Sequence, residues 1–142
     1  MNIVDLFCGC GGLSLGFQNA GYTVAASFDN WDAATDVYRL NFHHPVHKMD
    51  LMDVDKAISV VSDYHPEMII GGPPCQDFSS AGCRNEEGGR AILTVKYAEI
   101  VSAVRPQWFV MENVANIIKY RKVFEAMDKF RQSGYGISFG VL

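Results

Sequence analysis

Residues 2–16 read NIVDLFCGCGGLSLG, and this stretch decides the fold. Asn2 to Phe7 is a short apolar run that meets glycines, the pattern of a buried strand. Leu13, Phe17 and Ala20 then recur at helical spacing, and Gly21 stops that helix. The alternation continues along the chain. Thr23 to Asp29 reads as a strand, Trp31 to Asn41 as a helix and Val46 to Met49 as a short extended piece. Val54, Ile58 and Val61 mark a helix that ends before Pro66. Glu67 to Ile70 is a strand, and Leu93, Tyr97, Ile100, Val101 and Val104 form an amphipathic helix. Gln107 to Met111 is a strand. Ile117, Tyr120, Phe124, Met127 and Phe130 make one long final helix, and Tyr135 to Leu142 is strand-like. Alternating strands and helices predict a mostly parallel sheet with helices on both faces and right-handed crossovers.

The totals agree with one α/β domain. The 142 residues are 49% hydrophobic and 20% charged, enough apolar surface for a core. MNIVDLF carries an acid inside its apolar run and no basic start, unlike a signal peptide. No apolar segment nears the ~20 residues of a membrane span. A soluble intracellular (cytoplasmic) protein with reduced thiols is expected. Cys8 and Cys10 stand one residue apart, tighter than zinc ligands usually do. No second close Cys pair follows, and His43, His44, His47 and His65 sit near turns or connections, so no metal is expected. The net charge of -4 comes without a basic stripe, so any grip on nucleic acid must come largely from elsewhere.

In a parallel sheet, ligands bind beyond the carboxyl ends of the strands. Gly9, Gly11 and Gly12 let backbone approach such a ligand, and the next helix points its free N–H groups at an anionic part of it. The pattern is not a strict GxGxxG, because Ser14 breaks it. Asp29 ends the second strand, where an acid accepts from ribose hydroxyls. Asp50 follows the third extended piece and can accept from an adenine amino group. Asp5 can hold an ammonium or cap a backbone group. The plain alternative is a ligand-free glycine turn. The loop together with the strand-end acids favours a nucleoside cofactor, without separating a dinucleotide from S-adenosylmethionine.

GGPPCQDFSSAG, residues 71–82, follows the fourth strand. Pro73 and Pro74 fix two φ angles and remove two N–H donors ahead of Cys75. A thiolate there is a strong nucleophile, whereas the ordinary fate of a free cysteine is burial. Glu112, in MENV at the end of the fifth strand, can hold and protonate a ring nitrogen, or it can complement a helix N-terminus. Both residues stand at one sheet edge beside the glycine loop, which favours chemistry over packing.

Together these stretches resemble the DNA cytosine-5 methyltransferase family. DLFCGCGG is similar to its cofactor loop, the acids of SFDN and KMDL to its ribose and adenine contacts, GGPPCQDFS to its Pro-Cys motif and MENV to its Glu-Asn-Val motif. GGRAIL, residues 88–93, is a looser match to a segment whose Leu lines the cofactor site, and Asn41-Phe42 matches a recurrent element after the second helix. The resemblance implies a Rossmann-like sheet and S-adenosylmethionine held by Phe7, Gly9, Gly11, Gly12, Asp29, Asn30, Trp31, Asp50, Leu51, Pro73 and Leu93. It further implies that Cys75 adds to C6 of cytosine, that Glu112 engages N3 and that C5 takes the methyl group. The base must leave the stack, at a cost of a few kcal/mol. By the same resemblance, the loop carrying Gln76, Ser79, Ser80, Gly82, Arg84, Asn85 and Arg90 is expected to close over the strand. Arg84 and Arg90 either touch phosphates or form a solvated loop face.

The resemblance covers nearly the whole chain but only the first part of the family's pattern. Residues 1–142 read as a partial catalytic domain, without the arginine motif or the target-recognition region. DNA is the expected substrate, and a complementing C-terminal subunit or region the expected partner. A split subunit, a fragment and a decayed remnant all fit, and the isolated chain is expected to be inactive. The rival functions are a regulatory S-adenosylmethionine-binding module, an RNA cytosine-5 methyltransferase relative and a nicotinamide oxidoreductase. The last leaves PPCQ and ENV without a role.

Overall fold

The computed structural model describes residues 1–74 and 92–141. The elements run β1 (Asn2–Leu6), α1 (Gly12–Asn19), β2 (Thr23–Asp29), α2 (Asp32–Asn41), β3 (Val46–Lys48), α3 (Val54–Ser62), β4 (Met68–Gly71), α4 (Ile92–Val104), β5 (Trp108–Met111), a 3-10 turn (Ala115–Lys119) and α5 (Arg121–Gln132). The strands form one five-stranded sheet in the order β3-β2-β1-β4-β5. Every neighbouring pair is parallel. The chain winds outward through β1, β2 and β3, returns, and winds the other way through β4 and β5. The order therefore reverses between β1 and β4, and the crevice beyond their carboxyl ends is where such folds take ligands.

Alternate side chains of each strand face opposite layers. Val4, Leu6, Ala26, Phe28 and Ile69 pack with Ala57 and Val61 of α3, Tyr97 and Ile100 of α4, and Ala126 and Phe130 of α5. Ile3, Met68 and Ile70 face the other way and pack with Leu13 and Phe17 of α1. Burial on both sides explains why β1 and β4 read as continuous apolar runs. At Gly71 the parallel partner allows no side chain, since a Cβ would lie 2.4 Å from the Leu6 carbonyl oxygen. Among the described residues, no helix is long and apolar enough to cross a membrane.

Two expectations are corrected. The final helix is not continuous: Tyr120 is extended (φ -109, ψ 137) between the 3-10 turn and α5. The spacing of Ile117 and Tyr120 suits a 3-10 turn as well as an α-helix. The break resets the helical phase, so Val123, Ala126 and Phe130 are buried while Phe124 stays 53% exposed. Second, residues 135–141 form no strand. Tyr135 and Ile137 pack at the rim of the core, but Phe139 and Val141 are exposed. Apolar alternation makes a strand only where a neighbour supplies a hydrogen-bonded ladder, and among the described residues β5 pairs with β4 alone.

Candidate active site

The loop between β1 and α1 is held in a conformation that needs its glycines. Gly9 has φ 53 and Gly11 φ 96, and Phe7, though not a glycine, has φ 59. Backbone bonds from Cys8 N to the Phe28 carbonyl (3.1 Å) and from Gly11 N to the Cys8 carbonyl (2.9 Å) shape it. Asp29 ties it to β2: Oδ2 accepts from Gly9 N at 2.8 Å and Oδ1 from Trp31 N at 2.9 Å. Each carboxylate oxygen keeps a further lone pair for a ligand hydroxyl. The first turn of α1 has neither a capping side chain nor an acid, so its N–H groups suit an anionic group. A Cβ at Gly9 or Gly12 would meet no described atom within 4 Å, which leaves room on that side of the loop.

The other cofactor candidates fall into two sets. Asn30 and Trp31 follow β2 in exposed positions, Trp31 at the N-terminal boundary of α2. Asp50 is exposed two residues beyond β3, with Oδ1 accepting from Met52 N at 3.0 Å. Leu51 is buried in the main core. Phe7 packs half-buried against that core, and Leu93 lies half-buried in the first turn of α4.

Beneath the loop lies a polar cluster that sequence patterns do not show. Asp5 is fully buried; its Oδ2 accepts from Ser14 Oγ at 2.5 Å, while Oδ1 has no partner among the described residues. Burial pushes its pKa up to about 7, against the lowering effect of the Ser14 bonds. Tyr38 Oη donates to Ser14 Oγ at 2.8 Å and lies 2.6 Å from both Ser27 Oγ and His44 Nε2. Cys8 is buried beside this cluster. Desolvation first, then the charges of Asp5 and Asp29, push its thiol far up, which disfavours the nucleophilic thiolate.

The second edge of the crevice joins β4 to β5. Glu112 N donates to the Gly71 carbonyl at 2.9 Å. The Glu112 carboxylate hangs over Gly72, its Oε2 lying 3.4 Å from where a Gly72 Cβ would be. Asn113 Nδ2 donates to the Pro73 carbonyl at 2.7 Å, and its Oδ1 accepts from Val114 N. The Glu-Asn-Val segment is thereby fastened to the double-proline turn, which is described as far as Pro74. Asn113 is the residue that sequence reasoning missed; its place inside MENV, directly after a strand-end acid, was the available signal. Cys75, Gln76, Ser79, Ser80, Gly82, Arg84, Asn85 and Arg90 lie outside the described residues. Among the described residues, no group of three or more His, Cys, Asp or Glu is placed to hold a metal ion.

The chain matches the family described as C-5 cytosine-specific DNA methylase over residues 1–142. It belongs to that family. The type II methyltransferase M.HindV of Haemophilus influenzae is 49% identical over 142 residues, all of this chain and 47% of the relative. M.HgiDI of Herpetosiphon aurantiacus is 48% identical, with 46% of its length covered. The chain thus spans about half the length of these curated relatives. M.HgiGI, also of H. aurantiacus, is 57% identical over 114 residues, 80% of this chain and 90% of the relative. Among solved structures, the DNMT2 of Spodoptera frugiperda superposes with a TM-score of 0.74 at 21% identity, covering 93% of this chain and 41% of that one. That likeness bears on the fold alone.

The methyl donor of the family is S-adenosylmethionine, and the loop fits it: uncapped N–H groups at α1, an open side at Gly9 and Gly12, acids at the ends of β2 and β3, and an unpartnered acceptor on Asp5.

Proposed function

We propose that this chain supplies the cofactor site and the nucleophile of a DNA cytosine-C5 methyltransferase, completed by a recognition portion such as its longer relatives have room for. The observation that carries this is the pair of contacts from Glu112 to Gly71 and from Asn113 to Pro73. They set the Glu-Asn-Val segment beside the turn that leads into Cys75, at the edge that also bears the glycine loop.

The roles follow. Asp29 and Asp50 accept from the nucleoside, and the first-turn N–H groups of α1 meet the amino-acid end. When bound, S-adenosylmethionine supplies an electrophilic methyl group. The Cys75 thiolate adds to C6 of a flipped-out cytosine, forming an S–C6 bond and moving the ring's electron density to C5. Glu112, as the carboxylic acid, donates its proton toward N3 and so offsets the negative charge that gathers there. After methylation, a base takes the C5 proton, the C–H electron pair restores the C5–C6 double bond and the Cys75 sulfur leaves as thiolate.

The test is covalent trapping. The 142-residue chain, mixed with the unmatched portion of the H. influenzae relative, S-adenosylmethionine and DNA carrying 5-fluorocytosine, is expected to give a protein–DNA adduct seen by mass spectrometry. Fluorine at C5 blocks the final elimination. Cys75→Ser abolishes the adduct. An adduct that persists in Cys75→Ser would overturn the nucleophile assignment, and efficient turnover by the chain alone would overturn the need for completion.

A further inference from the structure

The ring of Phe42 forms the floor of the glycine loop. A Cβ built on Gly11 would lie 2.3 Å from Phe42 Cε2 and 2.9 Å from Tyr38 Cε2, so the loop backbone rests directly on two aromatic rings. These rings stack with centroids 4.3 Å apart and planes 28° from parallel. Phe42 N donates to the Tyr38 carbonyl at 3.0 Å as α2 ends. His44 packs on both rings, at 5.4 Å from each centroid. Tyr38 is pinned in turn by its hydroxyl, through Ser14 to Asp5 on β1. The stack is therefore anchored at one end in the sheet and ends at the other against the residue that precedes α1.

The glycines take their left-handed conformations without steric cost, but Phe7 at φ 59 does not; strained backbone of that kind persists only where its surroundings over-determine it. Asp29 holds the Gly9 side, and the nearest described atoms on the side-chain side of Gly11 belong to the two rings. Orientation of the N–H groups at α1 thus depends on the height of a flat ring.

We propose that Phe42, braced by Tyr38, is a positioning residue for the methyl donor: it touches the loop rather than the cofactor and sets the direction of the donor groups at α1. This rests on the cofactor reading above. Binding of S-adenosylmethionine to the 142-residue chain is measured by calorimetry, with a thermal melt for each variant. Phe42→Ala is expected to weaken binding about tenfold while the chain still melts cooperatively, whereas Phe42→Tyr, which keeps the ring, stays within about threefold of wild type. Asp29→Ala, which removes a proposed direct contact, serves as the control. If Asp29→Ala weakens binding and Phe42→Ala does not, the positioning role is overturned and the cofactor reading stands. If the wild-type chain binds no S-adenosylmethionine, both fall. Should Phe42→Ala fail to fold, Phe42→Leu decides: it keeps bulk without a flat face, so weakened binding supports the role and unchanged binding overturns it.

Discussion

Ile3, Met68 and Ile70 lie buried under α1 on one face of the sheet, whereas Trp108 and Val110, in register with Met68 and Ile70 on β5, are 59% and 38% exposed on that same face. The β1–β2 side of the crevice is finished by this chain's own side chains: α1, the Asp5–Ser14–Tyr38 cluster and the Phe42 ring beneath the loop. Among the described residues, the β5 side is secured from the opposite face only, by Phe109 stacked on Phe130 at 4.1 Å and Tyr135 edge-on at 5.1 Å. The cofactor loop is thus shaped from within the described residues. The Glu112 edge depends on backbone bonds, Asn113 and one layer of packing.

The sharpest probe of the closed side is pH. Asp5 carries a pKa of about 7 in the folded chain, raised chiefly by burial from 3.8. The folded chain therefore holds this proton more tightly than the unfolded chain. The resulting stability is fully present below pH 4 and is lost as pH rises through 7. Asp5→Asn keeps an acceptor for Ser14 but does not titrate. Relative to the variant, wild type is expected to lose up to about 4 kcal/mol between pH 4 and 8. Denaturant titrations across that range check it, and parallel curves for the two proteins would refute the linkage.

Gly71→Ala tests the seam where the two sides meet. The added methyl would sit 2.4 Å from the Leu6 carbonyl oxygen and 2.8 Å from the Tyr97 ring. Backbone must move to admit it, at a cost of about 3 kcal/mol, read as a lower denaturation midpoint. Tyr97→Phe is gentler. The Tyr97 hydroxyl lies 3.1 Å from the Ile69 carbonyl oxygen and 3.0 Å from that of Val110, bridging β4 and β5 from α4. Its loss should cost about 1 kcal/mol and fall on the Glu112 side without changing S-adenosylmethionine affinity.

Most of the sheet was legible because burial on both faces writes unbroken apolar runs, and helices write a different period. The strand-end acids were legible for a related reason: once β2 and β3 are placed, Asp29 and Asp50 can only stand at their carboxyl ends. Contacts between distant segments left no such trace. Nothing in the period of α2 says that Tyr38 reaches Ser14, that Phe42 lies under Gly11, or that Asn113 reaches back to Pro73. The 3-10 turn escaped because Ile117 and Tyr120 satisfy either helical period. The stretch Tyr135 to Leu142 misled because alternation reports a face, not a partner strand.

The smallest expected effect is the one that most directly separates the two faces of β5. Trp108 is the largest exposed side chain on the face that α1 leaves bare, and Phe109, its neighbour in sequence, is packed between Phe130 and Tyr135. Trp108→Thr should change stability by less than about 0.5 kcal/mol, because little surface is returned to water and threonine suits a strand. Phe109→Ala should cost about 3 kcal/mol through the cavity it leaves. Urea midpoints of the two variants give the comparison. A loss above about 1 kcal/mol for Trp108→Thr would mean that the open face is already packed in solution, and the asymmetry drawn between the two sides of the crevice would not hold.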